Sequence, residues 1–93
     1  MFIMVDTENA KKVGINAEII LNIIKINCEE RGIYINGSYF ARISMQKFEY
    51  YILYMSPSTI NRTIKFLLSV GLIDITKVGA DKCNYYRIKE SIL

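Results

Sequence analysis

The pattern of apolar residues over 57–70 predicts an amphipathic helix. Ser56 precedes it as a good N-cap, and Pro57 suits the first helical position because its missing N–H has no partner there. Gly71 follows it, where a left-handed residue commonly ends a helix. Four apolar residues recur at spacings of three and four and predict one buried stripe: Ile60, Ile64, Leu67 and Leu68.

The remaining positions of this helix form one polar sector. At about 100° per residue, five side chains fall within it: Ser58, Asn61, Arg62, Lys65 and Ser69. The sector holds two cations and no acid, which suits a surface that contacts phosphates and base edges. An ordinary solvated helix face has the same pattern, since polar faces are the rule, so the helix alone does not decide its function.

A short hairpin is predicted directly after Gly71. Residues 72–76 alternate apolar and polar, 77–82 form a glycine-containing loop, and 84–88 are rich in strand formers. The loop carries Lys77 and Lys82 at its tip, with Asp81 between them. A capped helix followed by a hairpin is typical of the second half of a winged helix-turn-helix, in which the helix enters a DNA groove beside the hairpin, the wing.

The candidate DNA-binding residues lie on this helix and on the wing. Cations and short polar side chains there can contact the phosphate backbone, and Asn and Arg can pair with base edges. The predicted DNA-binding residues are Ser56, Ser58, Thr59, Asn61, Arg62, Lys65, Lys77 and Lys82.

The first half of the chain predicts two helices. A short one spans 7–13 and is closed by Gly14, and a longer one spans 17–31, with Asn16 as its N-cap and Gly32 at its end. Apolar residues cover more than half of the longer helix, and its polar strip consists of Glu18, Asn22, Lys25 and Glu29. A helix this apolar is either the centre of the fold or packs one flank on another subunit.

The middle of the chain completes a helix-turn-helix. Asn36-Gly37, between strand-forming residues, predicts a hairpin over 33–41, and Ser44 caps a helix over 45–53. The pair of helices 45–53 and 57–70 then forms the helix-turn-helix. The predicted fold class is therefore α+β: a winged helix-turn-helix with an additional N-terminal helix and a central β-hairpin.

The 93 residues predict a single domain spanning 1–93, and 52% hydrophobic residues indicate a folded chain. Because no apolar run reaches the ~18–20 residues of a membrane span, and no basic segment precedes the apolar residues 1–5, we expect no membrane association and a cytoplasmic location. The net charge of +3 is uneven: residues 1–35 carry −1 and residues 36–93 carry +4. The positive excess lies in the half that holds the candidate DNA-binding residues.

The residues needed for common catalytic and metal sites are scarce. The chain has no His and only two Cys, Cys28 and Cys83, far apart in sequence. These absences disfavour a zinc site, a disulfide framework and His-activated nucleophiles, and the scattered glycines form no phosphate-binding loop. We therefore expect no enzyme activity, no cofactor and no metal.

The order of motifs resembles the winged-helix domain of phage and plasmid replication initiators, including the N-terminal domain of the DnaD type. The matching segments are GINA at 14–17, NGSYF at 36–40, SPSTINRTIKFL at 56–67, GLI at 71–73 and YYRI at 85–88. The helix and GLI segments are shared by many winged-helix regulators, whereas the aromatic hairpin is more particular to the replication group. Asp81 departs from a uniformly basic wing.

Two functions follow as expectations. The leading one is binding of double-stranded DNA, in replication initiation or transcription regulation of a mobile element, with a homodimer and a host or replication protein as further partners to consider. The alternative is a winged-helix module that docks on host machinery without reading DNA. DNA binding predicts that the helix face stays exposed and connects to Lys77 and Lys82 as one positive surface. An interaction module predicts an exposed apolar patch away from a dimer contact.

Overall fold

The computed structural model describes residues 14–89, and this part of the chain contains three helices and one four-stranded antiparallel sheet. The elements in chain order are α1 (Ile15–Arg31), β1 (Ile33–Ile35), β2 (Ser38–Arg42), α2 (Met45–Tyr51), α3 (Pro57–Ser69), β3 (Ile73–Thr76) and β4 (Tyr85–Ile88). The α+β class is therefore confirmed. The predicted helix over 7–13 lies outside the described residues.

Helix α1 is the centre of this arrangement. It packs against β2, β4, α2 and α3, and Ile20, Ile23 and Ile24 are fully buried. These contacts explain why apolar residues cover most of its circumference, as the first of the two alternatives predicted. No helix within residues 14–89 is long and apolar enough to cross a membrane.

Two predictions for α1 are wrong. Asn16 is not its N-cap, because the helix begins at Ile15 and Gly14 occupies the cap position with φ 89°. Glu18 does not belong to a solvated strip, because it is only 5% exposed. The amide of Asn22 donates to its carboxylate over 3.3 Å, so the side chain is buried with a hydrogen-bonding partner, as buried polar groups require.

The sheet has the strand order β1-β2-β4-β3. The β1–β2 hairpin turns at Asn36-Gly37, where both residues have positive φ (48° and 88°), as a two-residue hairpin loop of this type requires. Strand β2 then pairs with β4, opposing Ala41 to Tyr86 and Arg42 to Tyr85. Because β4 lies between β2 and β3, the last hairpin is joined to the middle of the chain through main-chain hydrogen bonds.

Local signals set the ends of α2 and α3. Ser44 and Ser56 accept hydrogen bonds from the backbone N–H groups of Lys47 and Thr59, as predicted for N-caps. At the end of α3, Gly71 has φ 79°, and the N–H of Leu72 donates to the carbonyl of Leu67 over 3.0 Å. This bond and the left-handed Gly71 form a Schellman motif, so the predicted glycine stop is confirmed.

One core joins the three helices to the inner face of the sheet. Its fully buried members include Ile23, Phe48, Ile60, Leu67 and Ile73. Leu68, which the spacing placed in the same stripe, is 45% exposed. The reason is geometric: Leu68 is rotated by about 100° from Leu67, and the core reaches only one side of α3.

Candidate nucleic-acid interface

The side of α3 opposite the core is open to solvent. Ser58, Asn61, Arg62 and Lys65 are exposed, whereas Ile60, Ile64 and Leu67 on the other side are buried. The helical period produces this division, because the polar residues are rotated by roughly half a turn from the apolar stripe. Four of the predicted DNA-binding residues therefore share one accessible face.

The hydroxyl groups at the start of α3 hydrogen-bond to one another and to the helix backbone. The Ser56 Oγ accepts from the Thr59 N–H over 3.3 Å and lies 3.1 Å from the hydroxyl oxygens of Ser58 and Thr59. Thr59 is half-buried. Ser56 and Thr59 therefore order the start of the helix, and Ser58 is the more accessible of the hydroxyls predicted to bind DNA.

Arg62 and Lys65 are the two cations of this face. Within residues 14–89, neither forms an ion pair with a carboxylate. Their positions on the helix differ by about 60°. Arg62 can therefore present its planar fork to a phosphate or a guanine while Lys65 acts as a point charge one turn later.

The loop between β3 and β4, residues 77–84, holds the other two predicted cations; we call it the wing loop. Lys77 and Lys82 are exposed, and the Lys77 Nζ donates to the Lys82 carbonyl over 3.3 Å. The two lysines are thus brought together across the loop. Both remain available to a phosphate, since an ammonium group has three donors.

No sequence pattern predicted the polar cluster at the base of the wing loop. The Asp81 carboxylate accepts from Arg42 Nε over 2.7 Å, from the Tyr85 hydroxyl over 2.8 Å and from the Cys83 N–H over 3.0 Å. Arg42 precedes Asp81 by 39 positions, so no local pattern links them. Two opposed strand residues, Arg42 and Tyr85, bring the donors together.

The charges in this cluster affect one another. The hydrogen bond from Arg42, followed by those from the Cys83 N–H and the Tyr85 hydroxyl, holds the pKa of Asp81 well below its usual range. The same hydrogen bonds to the Asp81 carboxylate raise the pKa of Arg42 and of Tyr85. Asp81 therefore stays ionised and Arg42 stays protonated at neutral pH.

A shallow groove runs along one edge of the α3 face. It is lined by Gly14, Ile15, Asn16, Ala17, Thr59, Arg62, Thr63 and Phe66. Phe66 is 45% exposed, although an aromatic residue in an amphipathic helix would be expected in the core. The groove contains no Asp or Glu among these residues, so it offers no pair of carboxylates for acid–base chemistry.

No metal-binding group is seen in the described part of the chain, where no three Cys, Asp or Glu side chains come together in a suitable cluster. Comparison of the chain with protein-family models, with curated proteins and with solved structures finds no match. A function can therefore be inferred only from the chain's own residues.

Proposed function

We propose that this chain is a winged helix-turn-helix protein that binds double-stranded DNA through the exposed face of α3 and the wing loop. In this proposal α3 enters the major groove, with Ser58, Asn61 and Arg62 near the bases. Lys65 and the two wing lysines contact phosphates.

The connectivity supports the winged-helix assignment. Helices α2 and α3 are consecutive and joined by a short turn, as in a helix-turn-helix, and the β3–β4 hairpin follows α3 directly. Pairing of β2 with β4 attaches this hairpin to the strand that precedes α2. The last residue of the loop between β3 and β4 also lies beside the residue that precedes the N-cap of α2, since the Ile43 N–H donates to the Asn84 carbonyl over 3.3 Å.

The observation that carries the proposal is the composition of the exposed face of α3. It presents Asn61, Arg62 and Lys65 and no acid, on a helix whose opposite side is buried. A rigid helix with an accessible amide, a guanidinium and an ammonium has the donors used for adenine, guanine and phosphate recognition. The proposal needs no rearrangement of the fold to make these groups accessible.

A fluorescence anisotropy titration against a random-sequence duplex tests this proposal. We expect binding that weakens as salt rises from about 50 to 200 mM, because each neutralised phosphate releases counterions. If Lys65, Lys77 and Lys82 each contact one phosphate, log K against log salt should have a slope of about −3.

A matched pair of lysine variants locates the binding face. Lys65→Ala removes one charge from α3, and Lys25→Ala removes one charge from α1, where Lys25 lies in a different groove beside Glu29 and Arg87. Lys65→Ala should weaken binding and reduce the salt slope by about one, and Lys25→Ala should change neither. Absence of salt-dependent binding by the wild-type chain at low ionic strength would refute the proposal.

The biological setting extends the proposal. The aromatic hairpin around Asn36-Gly37 and the α3 segment suit a mobile-element protein of replication initiation or transcription regulation, acting in the cytoplasm. A homodimer is also part of the proposal. Since Ile20, Ile23 and Ile24 of α1 are fully buried within their own chain, a dimer contact would use exposed apolar residues instead.

A protein-interaction module is the second candidate, and one observation favours it. Tyr50, Leu53 and Tyr54, at the end of α2 and in the turn before α3, are 77%, 90% and 67% exposed. Neighbouring exposed apolar residues mark interaction surfaces more often than isolated ones. If the duplex titration is negative, this surface becomes the leading candidate for function.

A further inference from the structure

The wing loop has little regular structure of its own. Residues 77–84 contain one turn, in which the Asp81 N–H donates to the Val78 carbonyl over 3.1 Å, and Gly79 has φ 56°. A loop of this length between two four-residue strands has many accessible conformations, and ordering it costs conformational entropy. Specific contacts are therefore needed to hold its two lysines in one arrangement.

Asp81 supplies these contacts. Its Oδ2 accepts from Arg42 Nε over 2.7 Å and from the Tyr85 hydroxyl over 2.8 Å, and its Oδ1 accepts from Arg42 Nη2 over 3.4 Å and from the Cys83 N–H over 3.0 Å. One carboxylate thus connects the loop to β2 and to β4. The forked contact with Arg42 also defines the orientation of the carboxylate, which a single-point contact would not.

The lysines are coupled to this carboxylate through the chain. Lys82 is the residue after Asp81, so its backbone position follows that of Asp81. The Lys77 Nζ donates a hydrogen bond to the Lys82 carbonyl, so the position of the Lys77 ammonium group depends on the position of Lys82. Holding Asp81 therefore restrains the backbone at Lys82 and, through the Lys82 carbonyl, the ammonium group of Lys77.

We propose that Asp81 is a positioning residue that, through Arg42 and Tyr85, holds Lys77 and Lys82 in place for contact with the DNA backbone. This inference rests on the proposed DNA-binding function and assigns a role to the one acid in the wing loop. It also accounts for an acid beside a phosphate-binding surface, because the adjacent Arg42 guanidinium offsets its charge.

A positioning role and a purely electrostatic role of Asp81 predict changes in DNA affinity of opposite sign. If Asp81 acts only as a negative charge near DNA, its neutralisation removes repulsion and should tighten binding. If Asp81 positions the lysines, its neutralisation should weaken binding although the net charge rises by one. The direction of the change therefore distinguishes the two roles.

The test compares Asp81→Asn with Asp74→Asn. Asp74 is a control of equal charge that lies on β3, outside the wing loop. It also pairs with an arginine, Arg87 Nη2 over 2.6 Å, and in addition with Lys89 Nζ over 3.3 Å. We expect Asp81→Asn to weaken duplex binding several-fold and to reduce the salt slope by about one to two, for the loss of one or two phosphate contacts. Asp74→Asn should bind as the wild type does.

A second measurement reports on the loop without DNA. Trypsin cleaves after Lys77 and Lys82, and cleavage needs the loop to open locally. We expect Asp81→Asn to be cut faster at these two sites, and Asp74→Asn to be cut at the wild-type rate. Tyr85→Phe, which removes one hydrogen bond to Asp81 with no change of charge, should give an intermediate rate in trypsin and an intermediate affinity.

The possible results distinguish failure of the positioning role from failure of the proposed DNA-binding function. Wild-type binding together with unchanged or tighter binding by Asp81→Asn overturns the positioning role and leaves DNA binding intact. An unchanged cleavage rate at Lys77 and Lys82 also overturns it. If the wild type itself shows no salt-dependent binding, the proposed function and the positioning role fail together. Circular dichroism checks that each variant is folded, and Tyr85→Phe provides the test if Asp81→Asn is not.

Discussion

Helix α3 and the wing loop each present two cations to the same proposed partner, but they hold them in different ways. In α3, Arg62 and Lys65 stand on a hydrogen-bonded helix whose other side is fully buried at Ile60 and Leu67. In the wing loop, Lys77 and Lys82 depend on contacts of one partly exposed carboxylate, that of Asp81.

This difference separates residues that would contact DNA from residues that hold the contacting residues in place. On α3, a side chain can be removed from the exposed face without moving its neighbours, because the core and the caps hold the backbone. In the wing loop, a residue that contacts no phosphate can still determine whether Lys77 and Lys82 contact one. Mutations on the helix should therefore act on affinity or on stability separately, whereas mutations in the loop should couple loop order to affinity.

The largest expected effect tests how firmly the core holds α3. Leu67→Ala should lower the free energy of unfolding by about 2–5 kcal/mol, since it leaves a cavity in a fully buried site. Leu68→Ala is the matched control, and it should cost less than about 0.5 kcal/mol if the 45% exposed Leu68 behaves as a surface residue. Urea denaturation measures both values, and equal losses would mean that the two faces of α3 are assigned wrongly.

The next effect concerns a contact made from the rigid helix. Arg62→Ala should cost about 1–3 kcal/mol of duplex affinity, and more on a preferred site, because a guanidinium can fork onto guanine or phosphate. The free energy of unfolding should stay within about 0.5 kcal/mol of the wild-type value, as for other exposed positions. Anisotropy and urea denaturation measure the two quantities, and wild-type affinity in this variant would remove Arg62 from the interface.

A smaller effect is expected at the wing. Lys77→Ala should weaken binding to all duplex sequences alike and reduce the salt slope by about one, because a lysine–phosphate contact carries no sequence information. Titrations against several unrelated duplexes at two salt concentrations measure this. A loss confined to one sequence would show that the wing loop contacts bases, and the contrast with α3 would then be smaller than proposed.

The smallest effect concerns pH. The pKa of Asp81 is held well below its usual value, so this carboxyl stabilises the folded loop at any pH above its unfolded pKa of about 3.9, and the stabilisation is lost as pH falls through the lower folded value. Between about pH 5 and 8 the wing loop should therefore keep the same order. The NMR shift of the Cys83 amide, which donates to Asp81, reports on this when it is followed from neutral to acid pH. A titration step at about pH 3.9, the ordinary pKa of an aspartate, would show that the contact with Arg42 is not formed in solution.

Much of the local structure was predictable from the sequence. Ser44, Ser56, Asn36-Gly37 and Gly71 mark the element ends where they were predicted, because capping and turn geometry depend on neighbouring residues alone. The exposed face of α3 was predictable for a similar reason, since a helix converts sequence spacing directly into angle. Six of the eight predicted DNA-binding residues lie on α3 or at its N-cap, where this rule applies.

The predictions that failed are those that depend on what packs against a residue. Periodicity placed Leu68 inside and Glu18 outside, but the core covers only one side of α3, and on α1 it extends to Glu18. Gly32, by contrast, ends α1 as predicted. It does so with φ −63° and ψ 142°, an extended conformation, and a Cβ there would collide with the carbonyl of Cys28, four residues earlier in the same helix.

Within residues 14–89, the amino-acid sequence by itself determined the three helices, the two hairpins and the composition of the α3 face, because each depends on interactions between residues a few positions apart. Only the tertiary structure decided that β2 pairs with β4, which places Arg42 beside Asp81 and Tyr85. That cluster joins residues distant in sequence through strand pairing, and no local spacing encodes which distant donor an exposed carboxylate will meet. The position of the wing lysines is therefore a property of the fold, whereas the position of Arg62 and Lys65 is a property of the helix.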